Sequence, residues 1–373
     1  MSKGQSGASK KVMSKGGTGK VGTGKGGAVR RGVATIVGEP NAGKSTLLNA
    51  LVGQKVAIVT HKPQTTRNRL LGIAEIPARK AEPGHKARPA AQVVLMDTPG
   101  ILSAQSLLDR RMLREIHEAL EGRDVVLLVV DANARPPWEK AEPGNRQQTL
   151  LELVAKLDGP VFLLLNKIDL VEKSELLPLI AAWTERYKFA EVLPIAARRA
   201  QGLEELKDAV VAVLPQGERF FPEDQVTDLP ERFLVAELIR ERILVETGQE
   251  IPYAAAVVVE RFEEATREEA KRAEKQGKAP VTRIAAAIYC EREGQKAILI
   301  GKQGAMLKKI GTSARKEIEE LLDTRVMLEL FVKVEKDWRD SAAFLEGTDW
   351  RKQIEGLGLK VEGLKVEPLK AEE

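Results

Sequence analysis

A glycine at 38, a second at 43 and the triplet Lys44-Ser45-Thr46 follow the spacing G-x-x-x-x-G-K-[ST], here GEPNAGKST. That spacing suits a polyphosphate. The loop Gly38-Glu39-Pro40-Asn41-Ala42-Gly43 can turn its backbone amides onto an anionic chain, a lysine neutralises the far phosphates, and a hydroxyl ligates a divalent cation. Lys44 is expected to reach the β- and γ-phosphates, with the Ser45 hydroxyl on magnesium. The motif carries this meaning only between a strand and a helix. Both are present: the apolar run 33–37 precedes it, and Leu47, Leu48, Leu51 and Val52 follow at the spacing of one helix face. The helix N-terminus adds partial positive charge. A second copy, Gly19 to Gly24-Lys25, puts Gly26 in the hydroxyl position and has no strand before it, and is set aside.

Three further stretches could complete such a site. The polar segment after the first helix holds Thr65, Thr66 and Arg67, and a threonine there can close on magnesium and the γ-phosphate. The strand AQVVLMDTPG ends in Asp97-Thr98-Pro99-Gly100. An acid leaving a buried strand is placed to hold magnesium through water, and the Gly100 N–H is placed to meet the γ-phosphate. The run VFLLLNKIDL, 161–170, carries Asn166-Lys167-Ile168-Asp169. Asp169 can accept hydrogen bonds from guanine N1–H and its 2-amino group, which adenine does not offer; Asn166 is expected at the six-oxo edge and the Lys167 stem over the ring. A carboxylate that expects two donors rejects a base lacking them, so the base is read as guanine.

Strands and helices alternate from 33 to 214, which calls for a doubly wound, mainly parallel sheet with ligand at the strand C-termini. KVAIV at 55–59 reads as a short extended piece, 78–90 as an exposed turn between hairpin strands, and VLPIAA as the last strand, ending in Ala196-Ala197. Residues 216–230, rich in proline, glycine and charge, read as a linker. Beyond it a helix (231–247), a strand from 251, a charged loop or hairpin extension (265–280), a second strand, two helices and a last strand are expected. Between the apolar run KAILI and a helix lies Gly301-Lys302-Gln303-Gly304, continued by Lys308, Lys309 and Lys316. A G-x-x-G turn lets amides approach phosphates closely, and this element order is that of an α+β type II KH domain, which clamps about four single-stranded nucleotides.

Net charge is +5, yet residues 1–31 hold eight basic residues and no acid, leaving −3 for the rest. The segment 1–30 is expected to be a disordered basic tail: either a weak hold on nucleic acid or anionic lipid, or a solubilising segment. One cysteine, Cys290, excludes an internal disulfide and reads as a buried structural thiol. Three scattered histidines offer no metal cluster, and no apolar run reaches the roughly 18 residues of a membrane span. No secretory leader is expected.

GEPNAGKST, QTTR, DTPG, NKID, EDQVTDLPERFLVAELIRE, IGKQG and LELFVKVEKDW, taken in order, make the chain resemble the Era family of bacterial ribosome-assembly GTPases over about 31–350. The resemblance implies a P-loop GTPase domain at 31–215, a KH domain at 231–340 and a C-terminal tail at 341–373. It implies GTP binding with slow hydrolysis, recognition of the 3′ end of small-subunit ribosomal RNA, and a role in maturing the small ribosomal subunit. A cytoplasmic, monomeric protein with possible peripheral contact with the membrane is expected on the same ground. Carried onto this chain, 38–46 hold the phosphates, Ser45, Thr66 and Asp97 serve magnesium, and Asn166, Lys167, Asp169 and the Ala197 N–H select guanine. Ala196 departs from the serine usual there. Ile101 stands where Ras-type enzymes keep a water-orienting glutamine, a substitution the family shares. Asn41 occupies the position at which related GTPases hold potassium; stabilising the loop is its alternative role. An RNA chaperone using GTP only as a structural ligand, and an ATPase or kinase on the same fold, are the competing functions.

Overall fold

A computed structural model describes residues 29–351, apart from 61, 63, 64, 85, 101–105, 135–145, 249, 250 and 350, and without the side chains of 146–149, 252 and 253. The expected basic tail up to residue 28, Ile101, nearly all of the loop at 134–144, and 352–373 lie outside the described residues.

The first module runs β1 (Val29–Gly38), α1 (Lys44–Val52), β2 (Leu70–Ile76), β3 (Ala91–Asp97), α2 (Leu107–Leu120), β4 (Val125–Asp131), α3 (Arg146–Val154), β5 (Val161–Asn166), α4 (Lys173–Thr184), β6 (Glu191–Pro194), α5 (Leu203–Val213) and β7 (Gln216–Gly217). Among the described residues these make a seven-stranded sheet of order β2-β3-β1-β4-β5-β6, with β7 on β1. The β3-β1-β4-β5-β6 pairs are parallel; β2 and β7 run antiparallel to their neighbours. The central strands are near-continuous apolar runs because helices cover both faces. Alternate residues feed opposite layers: Ile36, Leu127 and Leu164 meet Leu47 and Leu206, while Val37, Leu128 and Leu163 meet Ile116, Val154 and Trp183.

Residues 216–230, expected as a linker, run along this sheet. Gln92 and Phe221 exchange hydrogen bonds of 2.8 and 2.9 Å, Ile73 N donates to the Val226 carbonyl, and the Thr227 hydroxyl donates to the Leu71 carbonyl. The free edge of β2 is thereby covered, as exposed sheet edges require.

The second module runs α6 (Glu231–Glu246), α7 (Ile251–Ala254), β8 (Ala256–Glu263), α8 (Arg267–Lys275), β9 (Val281–Cys290), α9 (Glu293–Ile300), α10 (Ala305–Leu322), β10 (Arg325–Val334) and α11 (Ala342–Gly347). Its sheet has order β10-β9-β8, with β9 parallel to β10 and antiparallel to β8. Ile239 and Ile243 of α6, Leu299 of α9 and Ile310 and Ile318 of α10 bury one face of it around Ile284, Ala286 and Ile288. Cys290 is buried on the same side.

Four stretches differ from the sequence reading. Residues 55–59 form no strand: the Asn49 side chain accepts from Val56 N and Ala57 N, both at 2.9 Å, and donates to the Ala57 carbonyl at 2.8 Å, taking the bonds a strand partner would take. The charged stretch after 265 is helix α8, started by a reciprocal cap between Thr266 and Glu269. Residues 251–254 are a helical turn, so the strand starts at Ala256. Residues 341–349 and Arg351, expected within a C-terminal tail, belong to the folded body. Trp338 and Leu345 are buried against Leu108 and Met112 of α2, and Arg351 grips Glu115 through two bonds of 2.8 and 3.0 Å. Removing three local bonds to a buried segment is costly, so Asn49→Ala is expected to lower unfolding free energy by about 2 kcal/mol in a urea titration.

Candidate functional site

The C-terminal ends of β1, β3, β5 and β6 point at one cavity of about 510 Å³, within the range of small-molecule sites. Of the residues singled out by sequence, Pro40, Asn41, Gly43, Lys44, Ser45, Thr46, Thr66, Gly100, Asn166, Lys167, Asp169 and Ala197 line it. The others stand behind the wall. Gly38 and Glu39 supply the carbonyls that accept from Lys44 Nζ at 3.0 and 2.9 Å. Thr98 ties β3 to β1 through a 2.8 Å hydrogen bond from its hydroxyl to the Ile36 carbonyl, and Pro99 follows it in the buried strand end. Ile168 N donates to the Ile195 carbonyl and so holds the 166–170 turn beside 195–197.

Gly43 shows why the loop needs glycine. Its φ of 97° is left-handed, and a Cβ there would lie 2.2 Å from Asn166 Nδ2. Lys44 follows as the first residue of α1, fully inside the protein. Burial lowers its pKa to about 8, against the opposing pull of Asp97 and Glu39.

At the end of β3, Asp97 accepts from Ser45 Oγ at 2.6 Å and from Thr66 Oγ1 at 3.2 Å, while the two hydroxyls lie 2.9 Å apart. Burial raises the Asp97 pKa, opposed chiefly by Lys44. Its second oxygen, Oδ1, is buried and has no hydrogen-bond partner among the described residues. Three hard oxygens from three chain segments, one carrying an unsatisfied lone pair, fit a magnesium ion.

The base side differs in one respect from the sequence reading. The Asn166 amide is committed inside the protein: Nδ2 donates to the Ala42 carbonyl at 2.8 Å, and Oδ1 accepts from Ala197 N at 3.0 Å. Asn166 therefore braces the phosphate loop against the 195–197 loop, and the Ala197 N–H points at Asn166 rather than at an open six-oxo position. Lys167, at φ 66°, pairs with Asp131 at 2.6 Å, which fixes its stem along the cavity floor. Asp169 pairs with Arg199 at 3.1 Å. Sequence reasoning missed Asp131 and Arg199; the first is an acid ending a buried strand, the same signal that marked Asp97.

In the second module, 301–304 form a tight turn with Gly301, Gln303 and Gly304 at φ 70°, 52° and 78°, and Gly304 caps α10. A Cβ on Gly301 would lie 2.8 Å from the Met306 backbone nitrogen. Lys302, Gln303 and Lys308 are exposed, and the first turn of α10 holds no acid, so its N-terminal amides face an anion-accepting surface. Lys309 is drawn to Glu246 at the end of α6, 2.5 Å away. Lys302, Lys308, Lys309 and Lys316 are all exposed, so the basic face read from sequence stays at the surface, with Lys309 also in a surface ion pair.

Comparison with known proteins joins these two sites. Residues 33–167 match the family described as 50S ribosome-binding GTPase, and 250–339 match the KH domain. The chain is 45% identical over 317 residues to the GTPase Era of Geobacter metallireducens, covering 85% of this chain and 96% of that one. To its counterpart in Lactobacillus delbrueckii subsp. bulgaricus it is 42% identical over 324 residues, 87% and 97% of the two chains. A variant of Aquifex aeolicus Era bound to GDP·AlF4− matches with a TM-score of 0.74 at 35% identity, over 86% of this chain and 99% of that one. Era in complex with MgGDPNP and nucleotides 1506–1542 of 16S ribosomal RNA matches with a TM-score of 0.74 at 36% identity and the same coverage. Identity of this order along both modules, with the phosphate loop, Asp97, Asp169 and the 301–304 turn in the order read from sequence, means that the chain belongs to the Era GTPase family.

Proposed function

We propose that this chain binds and hydrolyses GTP in the 510 Å³ cavity and holds single-stranded 3′-terminal small-subunit ribosomal RNA on its 301–304 turn, as a switch in small-subunit maturation. The observation that carries the proposal is the convergence of Lys44, Ser45, Thr66 and Gly100 with Asp169 on one cavity. Ser45, Thr66 and Asp97 would hold a magnesium ion, which would supply charge neutralisation to the bound phosphates. Lys44 neutralises the same phosphates from the loop side, and its two carbonyl partners fix its direction. Gly100 lies against Pro40, where a Cβ would come within 2.8 Å of the Pro40 nitrogen and push on the phosphate loop; its N–H is assigned to the terminal phosphate. Slow turnover is expected because Ile101 offers no polar atom to orient the attacking water, which leaves catalysis to positive charge and backbone donors around the γ-phosphate. Peripheral contact with anionic lipid would fall to the basic residues within 1–31.

Separable sites give opposite losses. Asp169→Asn is expected to weaken GTP binding by roughly 100-fold or more and favour xanthosine triphosphate, whose 2-oxo group accepts from the new amide, while RNA binding persists. Lys302→Glu is expected to weaken binding of an unstructured ribosomal RNA 3′-end oligonucleotide by about tenfold and leave GTP affinity intact. Equilibrium binding of fluorescent nucleotide and RNA to both variants decides it; joint loss in either one sinks the two-site scheme.

Lys44 adds a pH signature. With its pKa near 8 in the ligand-free site, it is charged below that pH and increasingly neutral above it. A polyphosphate demands the charged form, so GTP binding above pH 8 should take up a proton and lose affinity as pH rises. Calorimetry in buffers of different ionisation enthalpy reads that proton, and Lys44→Met should abolish the uptake.

Asn41, at φ 65°, lines the cavity within the phosphate loop, and we assign its side-chain oxygen to a potassium ion assisting hydrolysis. Turnover should then be several-fold faster in potassium than in sodium chloride; equal rates would leave Asn41 a loop-stabilising role.

A further inference from the structure

The residues on both sides of Thr66 are fastened to the second module. Before it, the Thr65 carbonyl accepts from the Arg240 guanidinium on α6, which Glu237 holds in place through bonds of 2.8 and 2.5 Å. After it, Arg67 Nη1 donates to the Ala255 carbonyl at 2.8 Å, and its guanidinium lies 5.4 Å from the Trp338 ring centroid. Trp338 is itself anchored by a 2.9 Å bond from Nε1 to the Ala254 carbonyl. Both arginines are buried. Upstream the same segment follows α6: Lys55 pairs with Glu241 at 2.5 Å, Val59 N donates to Glu241 at 2.9 Å, and Lys62 Nζ donates to the Thr247 carbonyl at 2.5 Å. A cavity of about 410 Å³ adjoins Arg67, Arg240 and Trp338, leaving room for this junction to rearrange.

A three-residue segment pinned at both ends has little freedom of its own, so where Thr66 Oγ1 points is set by α6 and by the start of β8. We infer that Arg240 and Arg67 are positioning residues for Thr66, through which the second module sets how tightly the nucleotide site holds magnesium when GTP is bound. The inference rests on the nucleotide reading of the cavity and adds its regulation. Arg240 lies in the other module and acts through the Thr65 carbonyl, which fixes the Thr66 hydroxyl 2.9 Å from Ser45 and 3.2 Å from Asp97. Coupling of this kind is reciprocal: magnesium and GTP must favour the docked arrangement of α6 to the same degree that docking favours them.

The test uses the full chain with Arg240→Ala, Arg240→Lys and Arg67→Gln, and two readouts: the magnesium concentration needed to hold a fluorescent GTP analogue, and GDP affinity in EDTA. Arg240→Ala is expected to raise the magnesium midpoint by about tenfold, the scale of a typical coupling between sites, while magnesium-free GDP affinity stays within about twofold. Arg240→Lys, which keeps one donor and the charge, should recover part of the shift. A folded Arg240→Ala with an unchanged midpoint overturns the inference, as does an equal weakening of both nucleotides, the mark of general destabilisation. Should Arg240→Ala fail to fold, the Arg240→Lys and Arg67→Gln midpoints decide, and unshifted values overturn it equally. A wild-type chain that binds neither guanine nucleotide defeats the nucleotide-site reading instead, whatever Arg240 does.

Discussion

Lys44 and Asp97 are opposite charges buried together where β1 and β3 end, and the first module is arranged around keeping them there. Burial penalises both, pulling the lysine pKa down and the carboxylate pKa up. The chain offsets part of that penalty. Two backbone carbonyls accept from the lysine, and two hydroxyls donate to one carboxylate oxygen. The other oxygen has no partner among the described residues. A buried site with polar groups still unsatisfied is expensive in the folded state alone, and such expense is characteristic of places shaped for a ligand. The proposed ligands answer that need, a polyphosphate for the lysine and a divalent cation for the carboxylate.

Holding those groups requires a rigid frame, which the parallel sheet provides. β1, β3, β5 and β6 end side by side, so loops distant in sequence share one crevice, as in open α/β sheets generally. Asn166 fastens two of these loops to each other from within. Its amide is worth more as a brace than as a surface contact, because an unpaired Ala42 carbonyl or Ala197 N–H in that buried position would be costly.

The two modules are joined by more than the covalent chain. Residues 216–230 are stitched along β2 and β3, α6 grips the segment carrying Thr66, and the stretch after β10 grips α2. The segment carrying Thr66 and helix α2 thus each have partners in the second module. The nucleotide-sensing residues are thereby linked mechanically to the module that carries the 301–304 turn.

Phosphate loop, Asp97 and Asp169 were legible from residues alone because each depends on local spacing between a strand and a helix, and the 301–304 turn because its two glycines mark a tight turn opening a helix. The Thr266–Glu269 cap was equally local and readable, and the charged stretch hid it by looking like a surface loop. Residues 55–59 went wrong for a different reason: their apolar pattern suits a strand, and only the Asn49 side chain, brought back by a helical turn, supplies another partner for that backbone. The chain alone determined which groups could hold phosphate, metal and guanine. Tertiary structure decided which of them stay available: the Asn166 amide was consumed by distant partners, and Arg67 and Arg240 acquired a bearing on Thr66. Local spacing fixes a motif's chemistry, but a side chain's hydrogen bonds go to whatever folding brings within about 3 Å, and one sequence pattern does not contain that information.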